Sequence, residues 1–262
     1  MGVLNVTPDS FSDGGTFLDP DAAVARGLSL FEEGADIVDV GGESTRPGGA
    51  TRVSAEEERQ RVVPVIEQLR RRGAGAISVD TTKAAVARAA LDAGADLIND
   101  VSGFRFDPEM ALLAAERGVP AVVMHLRGDF SGMHHEPRYQ DVMAEVAAEL
   151  GAALDRGTHA GVARTQMIVD PGLGFAKDAR HSLEVVARLD ALRALDRPVL
   201  VGPSRKSFIG RTLDLPVGER LMGTAAAVAA CVLGGAHVVR VHDVREMVQV
   251  AGLCDALLEV AA

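Results

Sequence analysis

Asp80, Asn99, Asp170 and Lys206 are four polar side chains that could read the edge of a flat heterocycle. A carboxylate only accepts hydrogen bonds, a lysine only donates them, and an asparagine amide does both. A ring with an amino group beside a ring N–H presents two parallel donors, which match one carboxylate. A second set, Arg46, Arg240 and His242, is cationic and suits phosphate, because the arginine fork matches phosphate oxygens. Asn5 adds a neutral oxygen ligand. Mg²⁺ uses one or two protein oxygens together with substrate phosphates, so a single amide is enough to anchor it. Met124, Val101 and Phe175 can supply an apolar floor. Phe11 stands in the polar stretch "NVTPDSFSDGG", where it can act as a lid or wall, and Thr45, Arg46 and Pro47 offer the same from a second loop.

Taken singly, each of these residues has a plainer reading. Asp80 and Asp170 could cap the helix that follows them, Asn99 could staple a loop, Lys206 could be solvated, and His242 could be a core or loop histidine. His134, His135, His159, His181 and His237 read as surface or structural, and the spacing of His134 and His135 is no metal motif. What sets the first group apart is where its members stand.

Each follows one of eight short runs rich in Val and Ile: "VLNVT" from Val3, "DIVDV" from Asp36, "AISVD" from Ala76, "DLIND" from Asp96, "PAVVM" from Pro120, "QMIVD" from Gln166, "PVLVG" from Pro198 and "HVVRV" from His237. Between the runs lie stretches with helical spacing. Val62, Val63, Ile66 and Leu69 fall on one helix face, and so do Leu183, Val186, Leu189 and Leu192 of "SLEVVARLDALRAL". Gly34, Gly94, Gly118 and Gly235 sit where a helix gives way to a strand, the place of a C-terminal helix cap. Apolar strands alternating with helices mean parallel strands and right-handed crossovers. Eight such units in 262 residues predict a single-domain α/β fold, a (β/α)8 TIM barrel. A doubly wound open sheet is the other candidate, but no G-x-G-x-x-G follows any run. A barrel gathers its catalytic groups at the C-terminal strand ends. Those ends bear Asn5, Asp39, Asp80, Asn99 with Asp100, Met124 with His125, Asp170, Gly202 ahead of "PSRKSF", and Arg240 with His242.

Composition narrows the function classes. Apolar residues make up 47% of the chain and aromatics only 3%, so the core must be built from Ala, Val, Leu and Ile. The net charge is -10, which repels nucleic acid over most of the surface. The basic run Arg70–Arg72 reads as the solvated end of a helix. No apolar run approaches membrane-spanning length, and Asn5, Asp9 and Asp13 interrupt any signal-like segment. The two cysteines, Cys231 and Cys254, form no C-x-x-C pair and read as buried and reduced, so the expected compartment is cytoplasmic.

The strand-end segments resemble the dihydropteroate synthase family. The resemblance rests on "GVLNVTPDSFSDGG" from Gly2, "DVGGESTRPGG" from Asp39, "SVDTTK" from Ser78, "LINDVSG" from Leu97, "VVMH" from Val122, "DPGLGFAK" from Asp170, "SRKSFIG" from Ser204 and "RVHDV" from Arg240. It spans essentially the whole chain and implies one pterin-binding (β/α)8 barrel domain over residues 1–262, working as a homodimer in folate biosynthesis. The implied reaction joins p-aminobenzoate to 6-hydroxymethyl-7,8-dihydropterin pyrophosphate, giving 7,8-dihydropteroate and pyrophosphate. By the same resemblance, Asp80, Asn99, Asp170, Lys206, Arg240, Met124, Phe175, Val101 and Gly202 hold the pterin. Asn5, Arg240, His242 and Thr45 meet the pyrophosphate, with Asn5 as the Mg²⁺ ligand. Phe11, Thr45, Arg46, Pro47 and Ser204 form the p-aminobenzoate pocket. Lys206, Arg240, His242, Asp13 and Arg46 are the implied catalytic set, and sulfonamides the implied inhibitors.

Three features depart from the family pattern. Only four residues precede Asn5, where the family usually carries a longer lead, so the start lies upstream or the barrel bottom is closed in another way. Ala176 stands where Gly is common. The stretch Arg127–Tyr139 differs from the usual basic loop. Three other functions share parts of this inventory: a folate-dependent methyltransferase with the same pterin pocket, a Schiff-base aldolase using Lys206, and a non-catalytic pterin-binding relative. The methyltransferase has no use for "STRPGG" or for the Arg240/His242 anion site.

Overall fold

Side chains alternate between the two faces of a strand, and that alternation decides what this chain places at its centre. The computed structural model describes residues 1–7, 19–44, 53–129 and 138–261. The elements run β1 (Gly2–Asn5), α1 (Pro20–Glu32), β2 (Ile37–Gly41), α2 (Ala55–Arg71), β3 (Ala76–Asp80), α3 (Ala84–Asp92), β4 (Leu97–Asp100), α4 (Glu109–Arg117), β5 (Ala121–Met124), α5 (Val142–His159), β6 (Met167–Asp170), α6 (Ala179–Ala187), β7 (Leu200–Val201), α7 (Ser207–Leu213), α8 (Leu221–Leu233), β8 (Val238–Val239) and α9 (Val244–Ala261). Every apolar run of the sequence contains a strand.

The first six strands form one parallel sheet in chain order, and β7 pairs with β8. Parallel bridges from Val169 to Val199 and from Gly2 to Val241 join the two sheets into a closed ring. The fold is therefore a (β/α)8 barrel and not an open doubly wound sheet. Gly34, Gly94, Gly118 and Gly235 all have positive φ at the helix-to-strand turns, a conformation that other residues adopt only with strain.

One face of the strands carries Leu4, Val38, Val40, Ile77, Val79, Ile98, Val123 and Val169, which pack with the helices in the main core. The other face looks into the barrel. At its lower end Met1, Leu97, Val122 and Leu200 pack together with Ile37, Ile168 and Val238, closing the bottom with an apolar plug. Two residues further along the chain come Asp39, Asn99, Met124 and Asp170 on their strands, and Gly202 and Arg240 just past the ends of β7 and β8. The period of two thus stacks a polar storey directly on an apolar one.

Two helix readings need correction. "SLEVVARLDALRAL" is not one helix: α6 stops at Ala187, and Leu189–Leu195 is a 3-10 segment. Its inward face is Ser182 and Val185, while Leu183 is 43% exposed. Asp178 caps α6, and the Ser182 hydroxyl donates to the Asp178 carbonyl at 2.8 Å, so a small polar residue takes the inner position. In α2, Val65 is buried and Val63 is only partly so. Arg70 is no idle solvated end either. Its guanidinium donates to Gly94 O at 2.7 Å and Asp96 Oδ2 at 2.5 Å, tying α2 to the loop before β4.

Candidate active site

The C-terminal strand ends form one continuous row. Asn5 is level with Gly41, Gly41 with Asp80, and Asp80 with Asn99. Val3 N donates to Val241 O, so β1 adjoins the segment that bears Arg240 and His242. The neighbouring β7 ends just before Gly202 and Ser204. Residues from the two ends of the chain therefore meet at one mouth.

Arg240 is the centre of this mouth. Its Nε donates to Asp39 Oδ2 at 2.6 Å and its Nη2 to Asp80 Oδ2 at 2.8 Å. Asn99 Nδ2 donates to the same Asp39 oxygen at 2.9 Å. Asp39 is 0% exposed, and among the described residues its Oδ1 has no hydrogen-bond partner. Sequence reading placed Asp39 at a strand end but gave it no role. The signal was an ionisable residue inside the apolar run "DIVDV", which a buried strand tolerates only when the charge is paired.

The readings of Asp80 and Asp170 as helix caps fail in different ways. Asp80 pairs with Arg240, and α3 has no side-chain cap. Asp170 Oδ1 accepts the Gly172 N–H at 2.7 Å, holding the start of the following loop rather than a helix. Lys206 Nζ stands 4.2 Å above the Phe175 ring, a cation–π contact. Among the described residues its ammonium makes no hydrogen bond. Phe175, Val101 and Met124 lie in one buried apolar group with Leu126 and Ala176, so the expected floor is assembled. Ala176 has φ +49, which explains why a glycine suits that position. Gly202 leaves room beside Arg240, whose Cβ would lie 3.8 Å from an added methyl.

Burial shapes the charges here. It raises Asp80 to about 7 against the pull of Arg240, with Asp39 adding to the rise. Burial raises Asp170 as well, opposed by the Gly172 N–H and by Lys206. Burial lowers Lys206 to about 8, with Asp170 opposing and Arg240 assisting. Acid and base are thus drawn towards neutrality inside one slot, a pattern that marks functional sites.

Next to the slot, Ser204 accepts the His242 N–H at 3.2 Å, and its hydroxyl lies 2.9 Å from His242 Nδ1. Just past the end of β2, Lys83 pairs with Glu43 and with the buried Glu58, and Arg61 donates to Gly42 O at 2.7 Å. Lys83 and Glu58 were missed from sequence, although a carboxylate on the inner face of α2 was a visible sign. Another missed group is Lys177, buried between β5 and β6. It donates to His125 Nδ1 at 2.8 Å and to the carbonyls of Gly172 and Phe175, each at 3.2 Å. Asp100, also at a strand end, is structural: it accepts the N–H groups of Ser102 and Phe104. Phe11, Asp13, Thr45, Arg46 and Pro47 lie outside the described residues, as do His134 and His135.

The Asn5 side chain is part-exposed at the end of β1, and among the described residues no hydrogen bond uses its amide. An unengaged hard oxygen suits Mg²⁺, which keeps waters and takes further ligands from phosphate. Among the described residues no group of three or more His, Cys, Asp or Glu could hold a metal, so any Mg²⁺ here must draw most of its ligands from outside that set.

A family model described as pterin binding enzyme matches residues 1–242. The chain is 47% identical to the dihydropteroate synthase of Synechocystis over 98% of this chain and 89% of that one. It is 49% identical to that of Mycobacterium leprae, over 98% and 93%. Among solved structures it resembles the Yersinia pestis dihydropteroate synthase in complex with a sulfonamide drug, with a TM-score of 0.93, 41% identity and coverage of 98% and 93%. The Xanthomonas albilineans enzyme in complex with 7,8-dihydropteroate gives a TM-score of 0.88 and 41% identity, over 98% and 92%.

Proposed function

Because this chain belongs to the pterin-binding enzyme family, among the dihydropteroate synthases, we propose that its barrel mouth joins p-aminobenzoate to 6-hydroxymethyl-7,8-dihydropterin pyrophosphate, releasing 7,8-dihydropteroate and pyrophosphate. It is a transferase of folate biosynthesis. The observation that carries the assignment to this mouth is the Arg240-centred slot, where Asp80, Asn99, Asp170 and Lys206 converge over the floor of Val101, Met124 and Phe175. The methyltransferase alternative shares the pterin pocket and the aldolase alternative shares Lys206, but the similar relatives are dihydropteroate synthases.

In this reading Asp170 accepts the paired amino and ring N–H donors of the pterin. Asp80 and Asn99 take further edge contacts, Lys206 donates to a ring acceptor, and Arg240 stacks on the ring face. Arg240 and His242 hold the pyrophosphate. With the Ser204 hydroxyl donating to Nδ1, His242 keeps its ring proton on Nε2 as a donor. The pterin spreads positive charge from its exocyclic CH₂, so the C–O bond to pyrophosphate can break before the arylamine attacks. The electron pair leaves with the pyrophosphate oxygen, the amine nitrogen forms the C–N bond, and its proton goes to water. A neutral arylamine is nucleophilic, so no general base is required.

Fixed donors aimed at the departing oxygens contribute roughly 3 kcal/mol each. Asn5 would hold Mg²⁺, which when bound draws charge from the phosphoryl oxygens. Asp13, Arg46, Phe11, Thr45, Pro47 and Ser204 complete the p-aminobenzoate side, where loop closure excludes water. A sulfonamide, which mimics p-aminobenzoate, competes there.

The chain works in the cytoplasm as a homodimer. Its two cysteines are buried and unpaired, and among the described residues no helix is long and apolar enough to cross a membrane. Met222 on α8 and Leu253 and Leu257 on α9 are 78%, 65% and 54% exposed, an apolar face suited to a second copy. Pyrophosphate release from the pterin substrate tests the function. Release should require p-aminobenzoate and Mg²⁺ for full rate, and no release with all components present contradicts the reading.

A further inference from the structure

The orphan oxygen of Asp39 is a buried atom that the proposed reaction leaves unexplained, as is the Oγ of Ser78, its register neighbour on β3. Buried polar atoms are almost always satisfied, and an exception calls for a cause. Here the cause lies in how Arg240 is shared. The guanidinium Nε and Nη2 form a side-on fork that can grip one carboxylate through both oxygens. Instead the fork is split, with Nε on Asp39 Oδ2 and Nη2 on Asp80 Oδ2. Asp39 Oδ1 is left over, on a side chain that is 0% exposed.

A pterin donor that takes Asp80 Oδ2, the oxygen facing the slot, competes with Nη2 for it. We propose that Asp39 is the reserve acceptor for this exchange: when the pterin claims Asp80, Arg240 stays pinned by its Nε and swings Nη2 onto Asp39 Oδ1, closing the fork on a single carboxylate. Asp39 is then a positioning residue. It keeps Arg240 paired and aligned over the ring while Asp80 changes partner, and Asn99 Nδ2 holds the Asp39 carboxylate still during the exchange. This rests on the assignment of Asp80 to the pterin made above.

A double-mutant cycle tests it, read by calorimetric titration of the dihydropterin pyrophosphate into the unaltered chain, Asp39→Asn, Arg240→Gln and the double variant. Asp39→Asn keeps the shape but removes one acceptor. It should weaken binding at least tenfold when Arg240 is present and less than twofold when Arg240 is already Gln. An equal loss in both backgrounds, or no loss in either, overturns the proposal. A crystal structure of the unaltered chain with the pterin bound gives a second test that does not depend on a variant folding. Nη2 within hydrogen-bond distance of Asp39 Oδ1 supports the exchange, and Nη2 still on Asp80 overturns it. If the unaltered chain binds no pterin pyrophosphate, both this inference and the assigned function fall. Binding that ignores Asp39 removes only the inference.

Discussion

Two charged networks stand side by side on the strand ends, and they are built to opposite rules. In the network of His125, Lys177, Glu149 and Arg127, bonds close on one another. Lys177 donates to three acceptors, one of them His125 Nδ1. His125 Nε2 meets Glu149 Oε2 at 3.0 Å, and Arg127 Nε donates to Glu149 Oε1 at 2.8 Å. Arg127 also donates to Glu145 at 2.7 Å and lies 4.1 Å over the Tyr139 ring. In the slot, by contrast, among the described residues Asp39 Oδ1 has no partner, Lys206 has only the Phe175 face, and Arg240 is divided between two carboxylates. A closed network holds a shape, whereas one with bonds to spare can receive a ligand. The first braces the loop that bears Phe175, and the second reads what lies against Phe175.

The charges follow the same division. Burial, aided by Lys177, drives His125 down to about 4, so it is a neutral strut at physiological pH. The His125 and Arg127 bonds outweigh burial and hold Glu149 down to about 2. In the slot burial instead draws Asp80 up to about 7 and Lys206 down to about 8.

The largest effect should come from Arg240→Ala, which removes the ring stack, the pyrophosphate donor and the partner of two carboxylates together. Turnover should fall roughly a hundred- to thousandfold, with weaker product inhibition by pyrophosphate; steady-state kinetics near normal would erase the distinction between slot and brace. The pH dependence should be smaller but diagnostic. Below about 7 Asp80 takes up a proton and loses an acceptor, and above about 8 Lys206 loses a proton and a donor. Pterin affinity should therefore trace a bell with limbs near those values. Asp80→Asn should erase the acid limb, and a profile of unchanged shape would count against it.

The smallest effect on binding belongs to Glu149→Gln in the brace. Glu149 is partly open to solvent, so its pairs are worth about 1 kcal/mol. The melting temperature should fall by about 2–4 °C while pterin affinity stays within about twofold. The sign with pH follows from a lowered carboxylate. The stability from Glu149 is present above its ordinary value of 4.5 and lost as pH falls towards 2, so the gap between variant and parent should close over that window.

Sequence made one of these networks legible and hid the other. Asp80, Asn99, Asp170 and Arg240 close short apolar runs, and a barrel puts such positions at its mouth. The structure adds the facing: with Leu97 and Ile168 turned inward, Asn99 and Asp170, two places on, also point inward. Asp39 obeys the same parity with Ile37, but its partner stands 201 residues away, a pairing that no local pattern encodes. Lys177 and His125 were harder to see for the same reason, since their contact spans 52 residues and joins two loops. The face of α6 was misread because hydrophobicity ranks Leu183 above Ser182, while a bond to Asp178 O settles the burial of the serine.

The central claim is that the pterin is read by the network with bonds to spare. Titrating the dihydropterin pyrophosphate into Asp170→Asn and Glu149→Gln side by side tests it most directly. An amide at position 170 cannot accept two donors, so affinity should fall about ten- to a hundredfold there and hardly at all in Glu149→Gln. Equal affinities in Asp170→Asn and the unaltered chain would contradict the account.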